Sequence, residues 1–138
     1  MDFHGYLLSI RTARGEAEWA LEKLQELDAG VPLPSMDFGP HGRGGTHADR
    51  TALMAISRIR RREFCTKTLE GAMKSLNEFK GIIQDSDLND EAAAAIWSRW
   101  GMRKSYREIG RALGMSSIQA MGIVHEAESI IRPAIERL

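Results

Sequence analysis

Five basic side chains lie close together in the last third of the chain, and their chemistry suits the binding of phosphate groups. They are Arg99, Arg103, Lys104, Arg107 and Arg111. Guanidinium and ammonium groups pair with phosphate oxygens in charge-assisted hydrogen bonds. We therefore expect phosphate contacts from Arg103, Lys104 and Arg107.

A second basic group, Arg58 with Arg60, Arg61 and Arg62, lies near the middle of the chain. It is either a solvated face or a contact for phosphate or for an acidic partner. The net charge of zero does not exclude such partners, because the charges alternate along the chain. Residues 50–83 carry 8 basic and 3 acidic side chains and residues 99–138 carry 7 and 4, whereas residues 1–49 carry 4 and 8 and residues 84–98 carry 0 and 4.

Catalytic chemistry has little support in this sequence. The four histidines are His4, His41, His47 and His125, and none has a spacing to a Ser, Cys or carboxylate that indicates a nucleophile and its base. The glycines do not form a phosphate-binding loop, because no Lys-Ser or Lys-Thr pair follows them. We predict no enzyme activity and no cofactor.

A metal site in the segment 30–49 is the alternative to a simple polar loop. The segment holds Asp37, His41, His47 and Asp49, all of ligand type. Neither histidine has a partner at a familiar ligand spacing, so polar loop residues are the favoured interpretation and no metal is predicted.

Two helix-capping patterns lie in and after the first basic group and predict where helices begin. Ser105 with Glu108 and Ser116 with Gln119 each match the S-x-x-E/Q pattern that begins a helix. Gly114 lies between them and can adopt the left-handed conformation that ends a helix. A short helix, a tight turn and a longer helix form a helix-turn-helix unit.

The sequence also predicts which face of each of these two helices is buried. Apolar residues recur at helical spacing in both, namely Tyr106, Ile109 and Leu113 in the first and Ala120, Ile123, Val124 and Ala127 in the second. Gly110 has no side chain where the crossing helices must approach closely.

The first half of the chain predicts a helical hairpin. Apolar residues at steps of three and four indicate a long helix from about Gly5 to Asp28, ending at Gly30. Residues 30–49 are rich in Pro and Gly and predict an irregular loop. Asp49 is the expected N-cap of a second long helix that ends near Gln84. A two-helix hairpin buries little core, so we expect it to oligomerise or to pack on the C-terminal unit.

The acidic segment 84–91 predicts a hinge, followed by a helix from about Asn89 to Gly101. Trp97 and Trp100 in that helix are expected to be core residues rather than base-stacking platforms. The fold class is therefore all-α, with a hairpin domain at 1–84 and a three-helix domain containing the helix-turn-helix at 85–138.

The composition is that of an ordinary soluble protein of 138 residues, with 43% hydrophobic and 28% charged residues. We find no signal-peptide pattern at the N-terminus and no apolar run of membrane-spanning length. The single cysteine, Cys65, is read as a small helix residue and fits a reducing compartment, so a cytoplasmic location without membrane contact is expected.

The last 45 or so residues resemble region 4 of sigma factors. The resemblance rests on Trp100-Gly101, on the run from Ser105 to Gly110, on Leu113 to Ser116, and on Ala127. The whole architecture is similar to the sigma-region-4-like late transcription regulators of phages, of the ArpU and RinA kind. The resemblance implies binding of double-stranded DNA, with the N-terminal end of the second helix in the major groove.

With Ala120 inward, the outward face of the second helix should carry Ser117, Ile118, Met121, Gly122 and His125. Sigma factors that read promoters usually present Arg, Glu or Gln at three of these positions, but here no Arg or Lys occurs from Met115 to Ile131. Only Gln119 can read a base by two hydrogen bonds, and Ile118 can contact a thymine methyl. The predicted DNA-binding residues are Arg103, Lys104, Ser105, Arg107, Ser116, Ser117, Ile118, Gln119, Met121, Gly122 and His125.

The preferred functional interpretation is a cytoplasmic, phage- or prophage-encoded transcription regulator, with the hairpin supplying dimerisation, higher assembly or a contact to RNA polymerase. One alternative is a protein-interaction module for RNA polymerase that reads few bases. The other is a small DNA-packaging subunit, which also combines a helix-turn-helix with oligomerising helices.

Overall fold

The computed structural model describes residues 1–30 and 47–138, which form helices and their connections and no strand, and this confirms the all-α prediction. The helices are α1 (Phe3–Asp28), α2 (His47–Asp85), α3 (Asp90–Ile96), α4 (Tyr106–Leu113) and α5 (Ser117–Glu136). Helix α3 continues into a π-helical turn, Trp97–Gly101, in which the amide of Met102 donates to the carbonyl of Trp97 at 3.0 Å. None of the described helices combines the length and the apolarity that crossing a membrane requires.

Helices α1 and α2 form the predicted antiparallel hairpin. The rings of Tyr6 and Phe79 lie 6.2 Å apart near one end, and Arg62 Nη2 contacts Asp28 Oδ1 at 2.7 Å near the other. Helix α1 begins at an N-cap, because the side chain of Asp2 accepts a hydrogen bond of 2.8 Å from the amide of Gly5. Buried alanines on α1 allow α2 to approach it closely.

The prediction that Asp49 is the N-cap of α2 is wrong, because the helix already begins at His47. Helix α2 is therefore about one turn longer at its N-terminal end than the turn-forming composition of the preceding segment predicted. Asp37 and His41, and with them the rest of the predicted loop and the alternative metal site, lie outside the described residues. The side chains of His47 and Asp49 do so as well.

One hydrophobic core joins the hairpin to the C-terminal helices. Side chains from α1, α2, the π-helical turn and α5 are buried together, among them Leu7, Ile10, Phe79, Ile83, Trp100, Ile131 and Ile135. Trp97 stacks on Phe79 with ring centroids 6.1 Å apart, so both tryptophans are packing residues as predicted. Between α2 and α3, Leu88 packs on this core and Asn89 caps α3 by accepting from the amide of Ala92 at 2.7 Å.

Cys65 is fully buried in α2, in agreement with its expected role as a small helix residue. The acidic residues Asp90 and Glu91 occupy the first turn of α3, where carboxylates interact favourably with the positive end of the helix dipole. Helix α3 then packs on α5, and this contact places the helix-turn-helix unit beside the hairpin.

Candidate nucleic-acid interface

Both predicted capping residues begin helices. The amide of Glu108 donates to Ser105 Oγ at 3.1 Å, and Ser105 Oγ in turn donates to the Glu108 carboxylate at 3.2 Å. At α5 the capping box is complete, because Gln119 N–H donates to Ser116 Oγ at 3.2 Å and Ser116 N–H donates to Gln119 Oε1 at 3.0 Å. Each cap satisfies backbone donors that a helix N-terminus otherwise leaves free.

The turn between α4 and α5 depends on two glycines. Gly114 has φ of +70°, a left-handed conformation that strains any residue with a Cβ. A Cβ added to Gly110 would lie 2.6 Å from the carbonyl oxygen of Met115 and 3.1 Å from backbone atoms of Ser116. The close approach predicted for Gly110 is therefore present, and it is made with the turn and the start of α5.

A small second core holds the unit together. Ala95 of α3, Ile109 of α4, and Ala120 and Val124 of α5 are buried together, with Tyr106, Leu113, Met115 and Ile123 packed around them. Because successive helix residues are rotated by about 100°, burying Ala120 and Val124 turns the intervening positions outward. The inner face of α5 is thus the one that the apolar spacing predicted.

All eleven residues predicted to contact DNA are exposed in the structure. On α5 they form one continuous outward face over the first two and a half turns. Ile118 is the most exposed large apolar residue described, at 78%, and Met121 is 38% exposed. Among the described residues, no heavy atom outside the adjoining helix backbone lies within 4 Å of the position that a Cβ on Gly122 would take, so the helix backbone is accessible there.

Gln119 is engaged in the cap rather than free on this face. Its Oε1 accepts from the amide of Ser116, which turns the side chain back toward the helix N-terminus. Two-point reading of adenine needs both the oxygen and the nitrogen of the amide. While the capping box stays closed, Gln119 is therefore poorly placed for that role.

The three predicted phosphate-binding residues, with Arg111 from the same basic cluster, separate into two groups. The guanidinium of Arg103 lies against α1, since its Nη1 would be only 2.8 Å from a Cβ on Gly15. Lys104 Nζ pairs with Glu108 Oε2 at 3.6 Å. Arg107 and Arg111 are exposed, and neither has an ion pair within residues 1–30 and 47–138. Being four residues apart, these two arginines share one face of α4.

Arg99 has a structural role that its membership of the basic group did not indicate. Its guanidinium lies 4.1 Å from the ring centroid of Tyr106, and its Nη1 donates to the carbonyl of Lys104 at 3.2 Å. Tyr106 in turn meets His125 edge to face, with ring centroids 6.2 Å apart and 3.5 Å between the hydroxyl and Nε2. The stack of Arg99, Tyr106 and His125 connects the π-helical turn to the exposed face of α5.

Sequence patterns gave no signal for this stack, because its three members belong to three separate elements. Local spacing reports neighbours within one helix, whereas the stack depends on how α4 and α5 cross. The left-handed backbone of Arg103, with φ of +58°, was equally unforeseen. It reverses the chain between the π-helical turn and α4, and the amide of Lys104 then donates to the carbonyl of Ser98 at 2.9 Å.

The comparisons with known proteins are negative: no protein-family model, no curated protein and no solved structure matches the chain. The resemblance to region 4 of sigma factors therefore rests on the residues quoted for it and stays a prediction. Any functional argument depends on the geometry of α4, the turn and α5.

Proposed function

We propose that the protein is a DNA-binding transcription regulator that places the N-terminal half of α5 in the major groove of a duplex. The observation that supports this most directly is the unburied outward face of α5, together with the exposed Arg107 and Arg111, which form no ion pair within residues 1–30 and 47–138. Arginines on one face of α4 can hold phosphates while α5 reaches base edges, which is the division of labour in helix-turn-helix proteins. A phage or prophage origin, which rests on the sequence resemblance, and a cytoplasmic location, which rests on the single cysteine, are part of the proposal.

The chemistry of the α5 face sets the expected specificity. Ile118 and Met121 can contact thymine methyl groups, and Ser117 and His125 can each make single hydrogen bonds to a base edge or a phosphate. No basic side chain lies on this face, and the amide of Gln119 is held in the cap. We expect a shallow recognition motif, with much of the affinity coming from phosphate contacts.

Selection from a labelled pool of random duplexes, at about 50 and about 200 mM salt, tests the proposal. Enrichment of a motif, together with affinity that falls steeply with salt, is expected. Changing Arg107→Ala or Arg111→Ala should weaken binding to all sequences alike and lower the slope of log K against log salt by about 1 each. Lys74→Ala, an exposed change on α2, is the matched control and should alter neither quantity.

Arg103→Ala tests whether Arg103 binds phosphate, as predicted from the sequence, or instead stabilises the fold by packing on α1. Because its guanidinium lies against Gly15 of α1, its removal should leave the salt slope unchanged while lowering the stability of the fold. Absence of duplex binding at the lower salt, in a chain that retains its helical circular dichroism, would reject the proposal.

A second candidate function is a protein-interaction module that contacts RNA polymerase. It is favoured by one observation, the large apolar Ile118 at the centre of an α5 face without Arg or Lys. Exposed apolar side chains of this size are common at protein interfaces. Ile118→Asp distinguishes the two candidates: it should abolish capture of purified polymerase if the module is correct, and loss of duplex binding alone supports the first proposal.

A further inference from the structure

Large apolar side chains are exposed on the hairpin between the contact of Arg103 with Gly15 and the end of α1 at Asp28. Phe64 is 62% exposed and Trp19 is 42% exposed, and their rings meet edge to face with centroids 6.1 Å apart. They line a shallow groove between α1 and α2, here called the distal groove, together with Glu16, Lys67, Thr68, Gly71 and Ala72. Exposed aromatic side chains that lie together in a groove are a candidate protein-interaction site.

The apolar surface continues along α2 beyond the end of α1. Leu53 and Ile56 are 62% and 46% exposed, and steps of three and four residues place them on the same side of α2 as Phe64. Arg62 pairs with Asp28, the last residue of α1, so the turns of α2 that precede Arg62 extend past that helix. Their exposed faces have no contact from α1.

The two sides of the distal groove carry opposite charge. Residues 16–28 of α1 contain five carboxylates and one lysine, whereas residues 62–74 of α2, which lie alongside them, contain three basic and two acidic side chains. Within the groove itself, Glu16 belongs to the α1 side and Lys67 to the α2 side. A partner that fits this surface must be apolar at its centre, basic along one edge and acidic along the other.

A second copy of this chain has that surface. We propose that two copies dimerise through the distal groove, related by a two-fold axis that runs along the hairpin. This axis places α1 of each copy against α2 of the other, so that Glu16 of one copy faces Lys67 of the other and Trp19 faces Phe64. The result is a four-helix bundle in which neighbouring helices are antiparallel.

The charges select this axis over the other two-fold arrangement. An axis perpendicular to the hairpin would place α2 against α2 and α1 against α1, opposing Lys67 to Lys67 and Glu16 to Glu16. Like charges in direct opposition destabilise an interface. The proposal uses no residue of α4 or α5 and is independent of the DNA-binding function.

Sedimentation equilibrium of the full chain measures the dimer directly. The expected mass is twice 15.4 kDa at concentrations on the order of 10 µM. Phe64→Ala should raise the dimer dissociation constant at least about tenfold, because one change removes an aromatic anchor from both halves of the interface. Met73→Ala removes another exposed apolar side chain of α2 that does not line the groove, and should leave the constant unchanged.

A charge exchange tests the orientation. Glu16→Lys and Lys67→Glu should each weaken self-association several-fold, while an equimolar mixture of the two variants and the double variant should both recover the dimer. Circular dichroism confirms that each variant folds. A wild-type mass of 15.4 kDa at about 100 µM would overturn the proposal. Equal weakening by Met73→Ala, or failure of the exchange to restore the dimer, would overturn it as well.

Discussion

The amide of Met115 donates a hydrogen bond of 2.8 Å to the carbonyl of Gly110, and the carbonyl of Met115 lies where a side chain on Gly110 would begin. Gly110 therefore accepts a hydrogen bond from the turn that ends α4, and it also lies in close contact with the start of α5. This contact sets the crossing of the two helices, and the crossing determines which face of α5 remains exposed.

Gly110→Ala tests this contact. The added methyl would lie 2.6 Å from a backbone oxygen that cannot move without opening the turn, so the free energy of unfolding should fall by about 2 kcal/mol or more. Urea denaturation followed by circular dichroism measures the change. Duplex binding should fall with it, since the exposed face of α5 depends on the same turn.

Gly81→Ala is the matched control for that change. It also introduces a methyl into a helix, but no heavy atom lies within 4 Å of the new Cβ. It should stabilise α2 by about 0.5–1 kcal/mol through helix propensity. Equal stability of the two variants would mean that Gly110 is not required by the helix crossing.

Gly122→Ala tests whether Gly122 contributes to DNA binding without being needed for folding. Nothing lies within 4 Å of the new Cβ, so stability should rise by up to about 1 kcal/mol. If α5 approaches DNA closely through its backbone at this position, affinity for the selected duplex should nevertheless fall several-fold. Fluorescence anisotropy and urea denaturation on the same samples report the two quantities, and unchanged affinity would place Gly122 outside the contact.

Glu128→Ala should destabilise the junction between α5 and the π-helical turn. Trp100 Nε1 donates to Glu128 Oε1 at 2.8 Å, and loss of the carboxylate leaves the indole N–H of a buried side chain without this acceptor. A cost of about 1–3 kcal/mol is expected in thermal or urea unfolding. Glu128→Gln keeps an acceptor and should retain much of the stability, whereas Glu126→Ala, an exposed change on the same helix, should have little effect.

Alkaline pH should destabilise the fold through Tyr6. Burial, together with the negative charge of Glu78, raises the pKa of Tyr6 from 10.0 to about 12. Below pH 10 the phenol is neutral in both the folded and the unfolded chain, and its contribution to stability is fully present. As pH rises from about 10 to about 12, only the unfolded chain ionises, so the free energy of unfolding falls.

Tyr6→Phe isolates this effect. The hydroxyl of Tyr6 is buried and has no hydrogen-bond partner among residues 1–30 and 47–138, so its removal should stabilise the protein near pH 7 by up to about 1 kcal/mol. The difference between the variant and the wild type should widen as pH rises from 10. A constant difference over that range, measured by urea unfolding, would contradict the raised pKa.

Several elements were predictable because their signals are local. The caps at Ser105 and Ser116, the turn at Gly114 and the inward position of Ala120 all follow from spacing within a few residues. The start of α2 was missed, because the composition before it favours turns and Asp49 is a residue type that favours the N-cap. Asp49 accordingly lies inside α2, two residues after His47.

The candidate nucleic-acid interface also has features that could be predicted from the sequence and features that could not. Exposure of the α5 face follows from helical periodicity, and all eleven predicted contact residues are exposed. The directions of the basic side chains could not be predicted, because each depends on a neighbour from another element. Arg103 lies against Gly15 of α1, and Arg99 stacks on Tyr106.

Most helices, their caps and the faces that they bury could be predicted from the sequence alone. The reason is that hydrogen bonding to the backbone and the 3.6-residue period act over a single turn. The tertiary structure decided which charges remain free and which apolar side chains remain uncovered. Arg107, Arg111 and Phe64 are exposed, whereas Arg99 and Phe79 are covered by residues of other helices and Arg103 lies against α1. Burial and ion pairing are properties of helix packing, and packing is set by contacts between residues far apart in the chain.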